Sequence, residues 1–186
     1  MIESIKNFLI KPVRYEKISA QKRDEERQKM KALQRNSSKG IYIVAGELDK
    51  DFYNKEFADI ISKKFETDKK FVVSIIFSKN DNSPYKERIE KLKSENSHLC
   101  ELLKNGAFDG RLKMYLSKRR PEHHFGIVDD TILIEKEHKP GDPRDVLFVQ
   151  NYKSLIDRYS NHFKEMCNKK GVLRLTEKDL FNSVAC

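Results

Sequence analysis

From Gly40 onward the chain alternates two kinds of apolar spacing, and that alternation restricts it to one class of fold. Ile41-Tyr42-Ile43-Val44-Ala45 is a β-branched run of strand character closed by Gly46-Glu47. Phe52, Phe57, Ile60, Ile61 and Phe65 then recur at helical spacing, and residues 71–77 form a second apolar strand. A turn at residues 80–84 leads into a charged amphipathic helix over 85–103, with Ile89, Leu92, Leu99, Leu102 and Leu103 inward and Asn105-Gly106 as its stop. Three further strands are expected at 111–116, 123–128 and 131–135, the last two joined by a hairpin turn at Asp129-Asp130. After a polar loop at 139–143, Val146-Leu147-Phe148-Val149 is a short strand or helix lead-in. Residues 152–167 are a helix with Leu155, Ile156, Tyr159, Phe163 and Met166 on one face. Strands separated by helices predict an α/β fold, a mixed and mainly parallel sheet covered by helices on both faces.

Residues 1–39 read differently. Residues 17–39 contain no Pro or Gly, carry mixed charges at i,i+3 and i,i+4, and offer only Ile18, Ala20, Met30, Ala32 and Leu33 as apolar anchors, the pattern of a solvated helix. Ile2, Ile5 and Leu9 form a short amphipathic patch before Pro12, able to dock on a partner, a membrane surface or the chain's own core. The expected organisation is an N-terminal charged helical extension over 1–39 and an α/β domain over 40–186. Charge follows that division. The 186 residues carry a net +9, and residues 1–40, with 11 Lys/Arg and 5 Asp/Glu, hold six of those nine charges. The basic excess therefore belongs mainly to the extension.

Several classes of function are excluded. No apolar run approaches the roughly 18 residues that cross a bilayer, and residues 1–11 lack the three regions of a signal peptide, so a cytoplasmic protein with no transmembrane segment is expected. Cys100, Cys167 and Cys186 are odd in number and lack C-x-x-C spacing, which suits reduced thiols. The chain has no phosphate-binding Gly-rich loop, no G-x-S-x-G and no H-E-x-x-H.

The order of elements, with Pro121-Glu122-His123-His124-Phe125-Gly126-Ile127-Val128-Asp129-Asp130 in the second half, resembles one half of the phospholipase D superfamily over about residues 40–168. The motif of that family is H-x-K-x-x-x-x-D on a strand, followed by a hairpin turn. One register places Glu122 at the His position, His124 at the Lys and Asp129 at the Asp. The other places His123, Phe125 and Asp130 there. Both break the motif. In active members one His attacks phosphorus, the partner half's His protonates the leaving group, and the lysines hold phosphate oxygens. The resemblance implies a catalytically degenerate domain that binds a phosphate-containing ligand or nucleic acid as a homodimer, with Glu122, His124 and Asp129 facing one groove. A metal-independent phosphodiesterase or nuclease using His123 or His124, with Asp129, is the alternative. A protein-interaction or dimerising scaffold, docking a partner through the extension, is a third.

Other residues join the candidate site on their own chemistry. His123 and His124 are adjacent in a strand and must face opposite sides. Glu135 lies on the strand after the turn, and Glu47 lies at the C-terminal end of the first strand, where open α/β sheets place ligands. Arg119 and Arg120, in Lys118-Arg119-Arg120-Pro121, are suited to clamp phosphate. With Lys22, Arg23, Arg27, Lys29, Lys31 and Arg35 they could track a nucleic-acid backbone, but no aromatic residue interleaves with them for base stacking. His124, Glu135, Glu137 and His138 have metal-binding chemistry, yet alternation along the strand separates Glu137 from His138. No metal or other cofactor is expected.

Overall fold

The computed structural model describes residues 11–78, 83–104, 110–136 and 144–181. They form a single eight-stranded sheet with helices packed on both faces. The strands are β1 (Arg14–Ile18), β2 (Gly40–Ala45), β3 (Val72–Phe77), β4 (Leu112–Ser117), β5 (Phe125–Val128), β6 (Thr131–Lys136), β7 (Asp145–Gln150) and β8 (Val172–Arg174). The helices are α1 (Arg23–Asn36), α2 (Lys55–Thr67), α3 (Tyr85–Glu95), α4 (Ser97–Lys104), α5 (Lys153–Cys167) and α6 (Glu177–Phe181). Across the sheet the strands run β1-β7-β6-β5-β2-β3-β4-β8. The sheet is mixed, as expected, but the balance of its pairings is shifted. Only β2–β3 and β3–β4 are parallel. The other five pairings are antiparallel, because hairpin β5–β6, strand β7 and the two edge strands all run against their neighbours.

Alternation along the strands divides the core into two layers. Ile41, Ile43, Val73, Ile75 and Met114 face one way and pack against α2, α3 and α4 through Phe57, Ile61, Ile89 and Leu99. Val44, Ile76, Phe125, Ile127 and Ile132 face the other way and pack under Phe163 and Met166 of α5. Asn54 starts α2 by accepting the Phe57 N–H at 3.2 Å, satisfying one of the orphan donors of the first turn. The helix expected over 85–103 is broken in two at Asn96, whose side-chain amide turns away to donate to the Leu48 carbonyl at 3.3 Å.

Residues 14–36 are not a separate extension. Arg14–Ile18 is a strand, not part of a helix, and pairs antiparallel with β7 from Arg14↔Gln150 to Ile18↔Val146. Helix α1 follows it and buries Met30 in the same core as Ile18. Among the described residues no helix is long and apolar enough to cross a membrane. The amphipathic patch around Ile2–Ile10, the stop at Asn105-Gly106, Glu137 and His138, the polar loop expected at 139–143, and Cys186 lie outside the described residues.

Candidate anion-binding site

The C-terminal ends of β2, β3 and β4 converge with the start of β5, the end of β6 and the start of α1 around a cavity of about 690 Å³. This is the edge at which open α/β sheets place ligands, because the strand order changes direction there. His124, immediately before β5, is the most deeply buried histidine among the described residues, with 6% of its surface exposed. Its Nδ1 lies 3.1 Å from Oε2 of Glu135 on β6 and also meets the guanidinium of Arg144, which donates to the same Glu135 oxygen at 2.7 Å. Its Nε2 is buried and has no hydrogen-bond partner among the described residues. Nδ1 is thus engaged by Glu135 and Arg144, and Nε2 is the ring nitrogen left without a partner.

Gly46 makes this placement possible. A Cβ at that position would lie 2.7 Å from Cε1 and 2.9 Å from Nε2 of His124, and 2.8 Å from Nε of Arg120. The imidazole and the Arg120 guanidinium therefore lie directly over a bare backbone segment. That segment is fixed from behind, since the Gly46 carbonyl accepts from Ser78 twice, the backbone N–H at 2.9 Å and the hydroxyl at 2.6 Å. Burial holds the Arg144 guanidinium below its ordinary value, and the positive charges of Arg120 and Arg23 lower it further. The guanidinium groups of Arg23, Arg120 and Arg144 thus line the same cavity as the imidazole. Burial pushes the Tyr53 hydroxyl well above its ordinary value, and the nearby Glu135, Asp49 and Glu26 add to the shift. The phenol stays protonated in this wall of the cavity.

Folding divides the expected site residues. His124, Glu135, Glu47 and Arg120 line the cavity together. Glu122 and His123 are exposed and are not among its lining residues; both histidines precede β5, so the strand alternation that predicts their opposite facing does not apply to them. Arg119 is exposed as well, and its carbonyl accepts from the Ser117 hydroxyl at 2.7 Å. Asp129 is at the far end of β5, with a positive φ of 50°. Its carboxylate accepts from the N–H groups of Ser38 and Lys39 at 2.7 and 2.8 Å, so it ties the hairpin turn to the start of β2. Sequence reasoning misses Arg144, Tyr53 and Ser78, whose neighbours in sequence carry no motif. Arg23 and Arg27 look in sequence like part of a solvated helix, and only the docking of α1 brings them to the cavity. Among the described residues no cluster of His, Cys, Asp and Glu is arranged to hold a metal ion.

No family model matches the chain, and no curated protein matches it in sequence. Solved structures do match in shape. TrmBL2, an archaeal chromatin protein, superposes with a TM-score of 0.59 at 14% identity over 84% of this chain and 53% of its own. Phosphatidylserine synthase from Haemophilus influenzae Rd KW20 gives 0.57 at 16% identity, over 88% of this chain and 40% of the other. Nuc from Salmonella typhimurium, a phospholipase D family member, gives 0.57 at 11% identity, over 89% of this chain and 98% of its own. This is a phospholipase D-like fold. The chain spans about half or less of the length of the first two structures, and nearly the whole of Nuc. At these identities the likeness concerns the phospholipase D-like fold alone.

Proposed function

We propose that this phospholipase D-like domain binds a phosphate-containing ligand at His124 and does not cleave it. The observation that carries this reading is that Arg23, Arg120 and Arg144 line one cavity with His124, whose Nδ1 meets Arg144 and whose Nε2 is buried without a partner. Like charges held this close repel, and an anion among them removes the repulsion while giving the imidazole nitrogen its missing partner. Catalysis has less support. The position that a lysine takes in active relatives is occupied in one register by His124 and in the other by Phe125. Among the described residues the cavity has one histidine, so a histidine nucleophile and a second histidine as leaving-group acid do not both line it.

Titration of the protein with inorganic phosphate by calorimetry tests the reading. Saturable binding is expected, with Arg144→Gln and His124→Ala each weakening it by roughly tenfold or more, the scale of a lost charged hydrogen bond. Absence of binding by the intact protein overturns it. One observation favours a second reading, a metal-independent phosphodiesterase: Glu135 contacts Nδ1 of His124 and Nε2 is left unpartnered, the pairing used by a nucleophilic imidazole. Turnover of bis-p-nitrophenyl phosphate in EDTA, abolished by His124→Ala, would establish that reading in place of binding alone.

Two finer points belong to the same proposal. A homodimer is the arrangement that the resemblance to one half of the phospholipase D superfamily implies, and it is tested by a sedimentation mass of twice 21.9 kDa. Nucleic acid is supported by the basic charge and by the likeness to TrmBL2, a chromatin protein whose structure shows a novel mode of DNA binding. Fluorescence anisotropy with a labelled duplex across a salt series tests that contact.

A further inference from the structure

The cavity around His124 is lined by both signs of charge. Arg120 and Arg144 lie close to His124, and Arg23 lines the same cavity. The lining also includes Glu26 of α1, Asp49, and the rings of Phe52 and Tyr53. Counted over the whole lining, four arginines face four carboxylates, the last being Glu47 and Glu135. A groove for a polyanion carries net positive charge along its length, and this one does not.

The carboxylates differ in what they already bind. Glu135 is held by Arg144, and Asp49 accepts from the Asp51 N–H at 2.8 Å and pairs with Arg27 at 3.7 Å. The Glu26 side chain makes no hydrogen bond or ion pair among the described residues. Burial pushes its carboxyl above the ordinary value although Arg23 and Arg27 pull the other way. A carboxylate only accepts hydrogen bonds, so a half-buried one lining a cavity is matched by a ligand that donates. That donor is a neutral hydroxyl and not an ammonium, because Arg23 and Arg27 flank Glu26 and would repel a further cation. A chain of phosphodiesters fits no better, since Glu26 and Asp49 would oppose the next phosphate.

We propose that the ligand is a phosphorylated polyhydroxy compound, a sugar or polyol phosphate, whose phosphate sits among Arg23, Arg120, Arg144 and Nε2 of His124 and whose hydroxyls donate to Glu26. The apolar edge of the ligand lies against Phe52. This inference rests on the phosphate reading above. The cavity volume falls within the roughly 300–1,000 Å³ of small-molecule sites.

Calorimetric titration of the full chain with inorganic phosphate, glycerol 3-phosphate, ribose 5-phosphate, glucose 6-phosphate and O-phosphoethanolamine tests it. At least one of the three hydroxylated phosphates is expected to bind roughly tenfold tighter than inorganic phosphate, the scale of one hydrogen bond to a charged group. Glu26→Gln should collapse that ratio to near one. Phe52→Leu is the second variant should Glu26→Gln fail to fold, and it should lower the same ratio severalfold. Equal affinity for inorganic phosphate and all three hydroxylated phosphates overturns this inference and leaves the phosphate reading standing. A larger gain for O-phosphoethanolamine overturns it in favour of an ammonium group. Failure of every phosphate to bind overturns the phosphate reading and this one together.

Discussion

An added methyl group at Gly46 would approach His124 and Arg120 to within 2.7–2.9 Å, closer than nonbonded carbon and nitrogen atoms come. The backbone itself would accept alanine, since Gly46 is not among the positive-φ glycines. Gly46→Ala is therefore expected to act through the site, displacing the imidazole and the guanidinium and weakening phosphate binding by roughly tenfold or more. The accompanying stability loss should stay within the ~1–3 kcal/mol of a local overpacking. Calorimetric titration and denaturant unfolding of the same variant check the two expectations. Asp129 gives the opposite pattern. It holds the backbone N–H groups of Ser38 and Lys39 at the far end of β5. Asp129→Asn keeps a residue that tolerates the left-handed conformation but removes the charge, and it should cost roughly 1–3 kcal/mol of unfolding free energy while phosphate affinity is retained. A large loss of affinity in Asp129→Asn would return that residue to the site. In sequence the aspartate stands out because it fits a motif, whereas the glycine fits only the rule that a strand end needs a turn. The fold reverses their importance for the cavity.

At the scale of elements, the strands and helices with strong periodicity were legible and the weak ones were not. β2, β3, β6 and α2 fall close to where apolar spacing puts them, because each buries a continuous stripe or a β-branched run. β1 has no such stripe. Its residues Arg14-Tyr15-Glu16-Lys17 are exposed and only Ile18 is buried, so its strand character comes from the ladder with β7. The break at Asn96 was likewise invisible, since the apolar spacing runs straight through it and the cause is a bond to Leu48, 48 residues away. Deleting residues 1–18 tests the integrated position of β1. Loss of the buried Ile18 side chain alone is worth about 1.5–3 kcal/mol, and exposure of the β7 edge adds to it, so a clear fall in melting temperature is expected. An unchanged melting temperature would restore the picture of an independent extension.

For the whole molecule, pH is the most direct probe of the buried core. Burial pushes the Cys100 thiol up to about 12 from an ordinary value of 9.0. Tyr85 is not a core residue, being 40% exposed, but partial burial of its hydroxyl, together with Asp179, to which it donates at 3.2 Å, pushes it up to about 12 from 10.0. In both cases the unfolded chain gives up its proton first. The stability due to these neutral groups is full below pH 9 and is lost as the pH rises from 9 toward 12. Chemical denaturation across that window should show falling stability, and Cys100→Ala should make the fall shallower. The net charge of +9 also takes on a different meaning in the folded molecule. Much of the N-terminal excess belongs to α1 and β1, where Lys29 pairs with Glu16 and Arg27 with Asp24, and part of it is directed into the cavity through Arg23 and Arg27. The sequence by itself determined the α/β class, the hairpin at Asp129-Asp130, and the basic residue Arg120 close to the site. Those features follow from spacing along one chain, which local sterics and burial fix. Only the tertiary structure decided which polar residues share a site. It joined Arg23, Gly46, Arg120, His124, Glu135 and Arg144, drawn from across 122 positions of the chain, because the sheet order brings together strand ends that no local spacing relates.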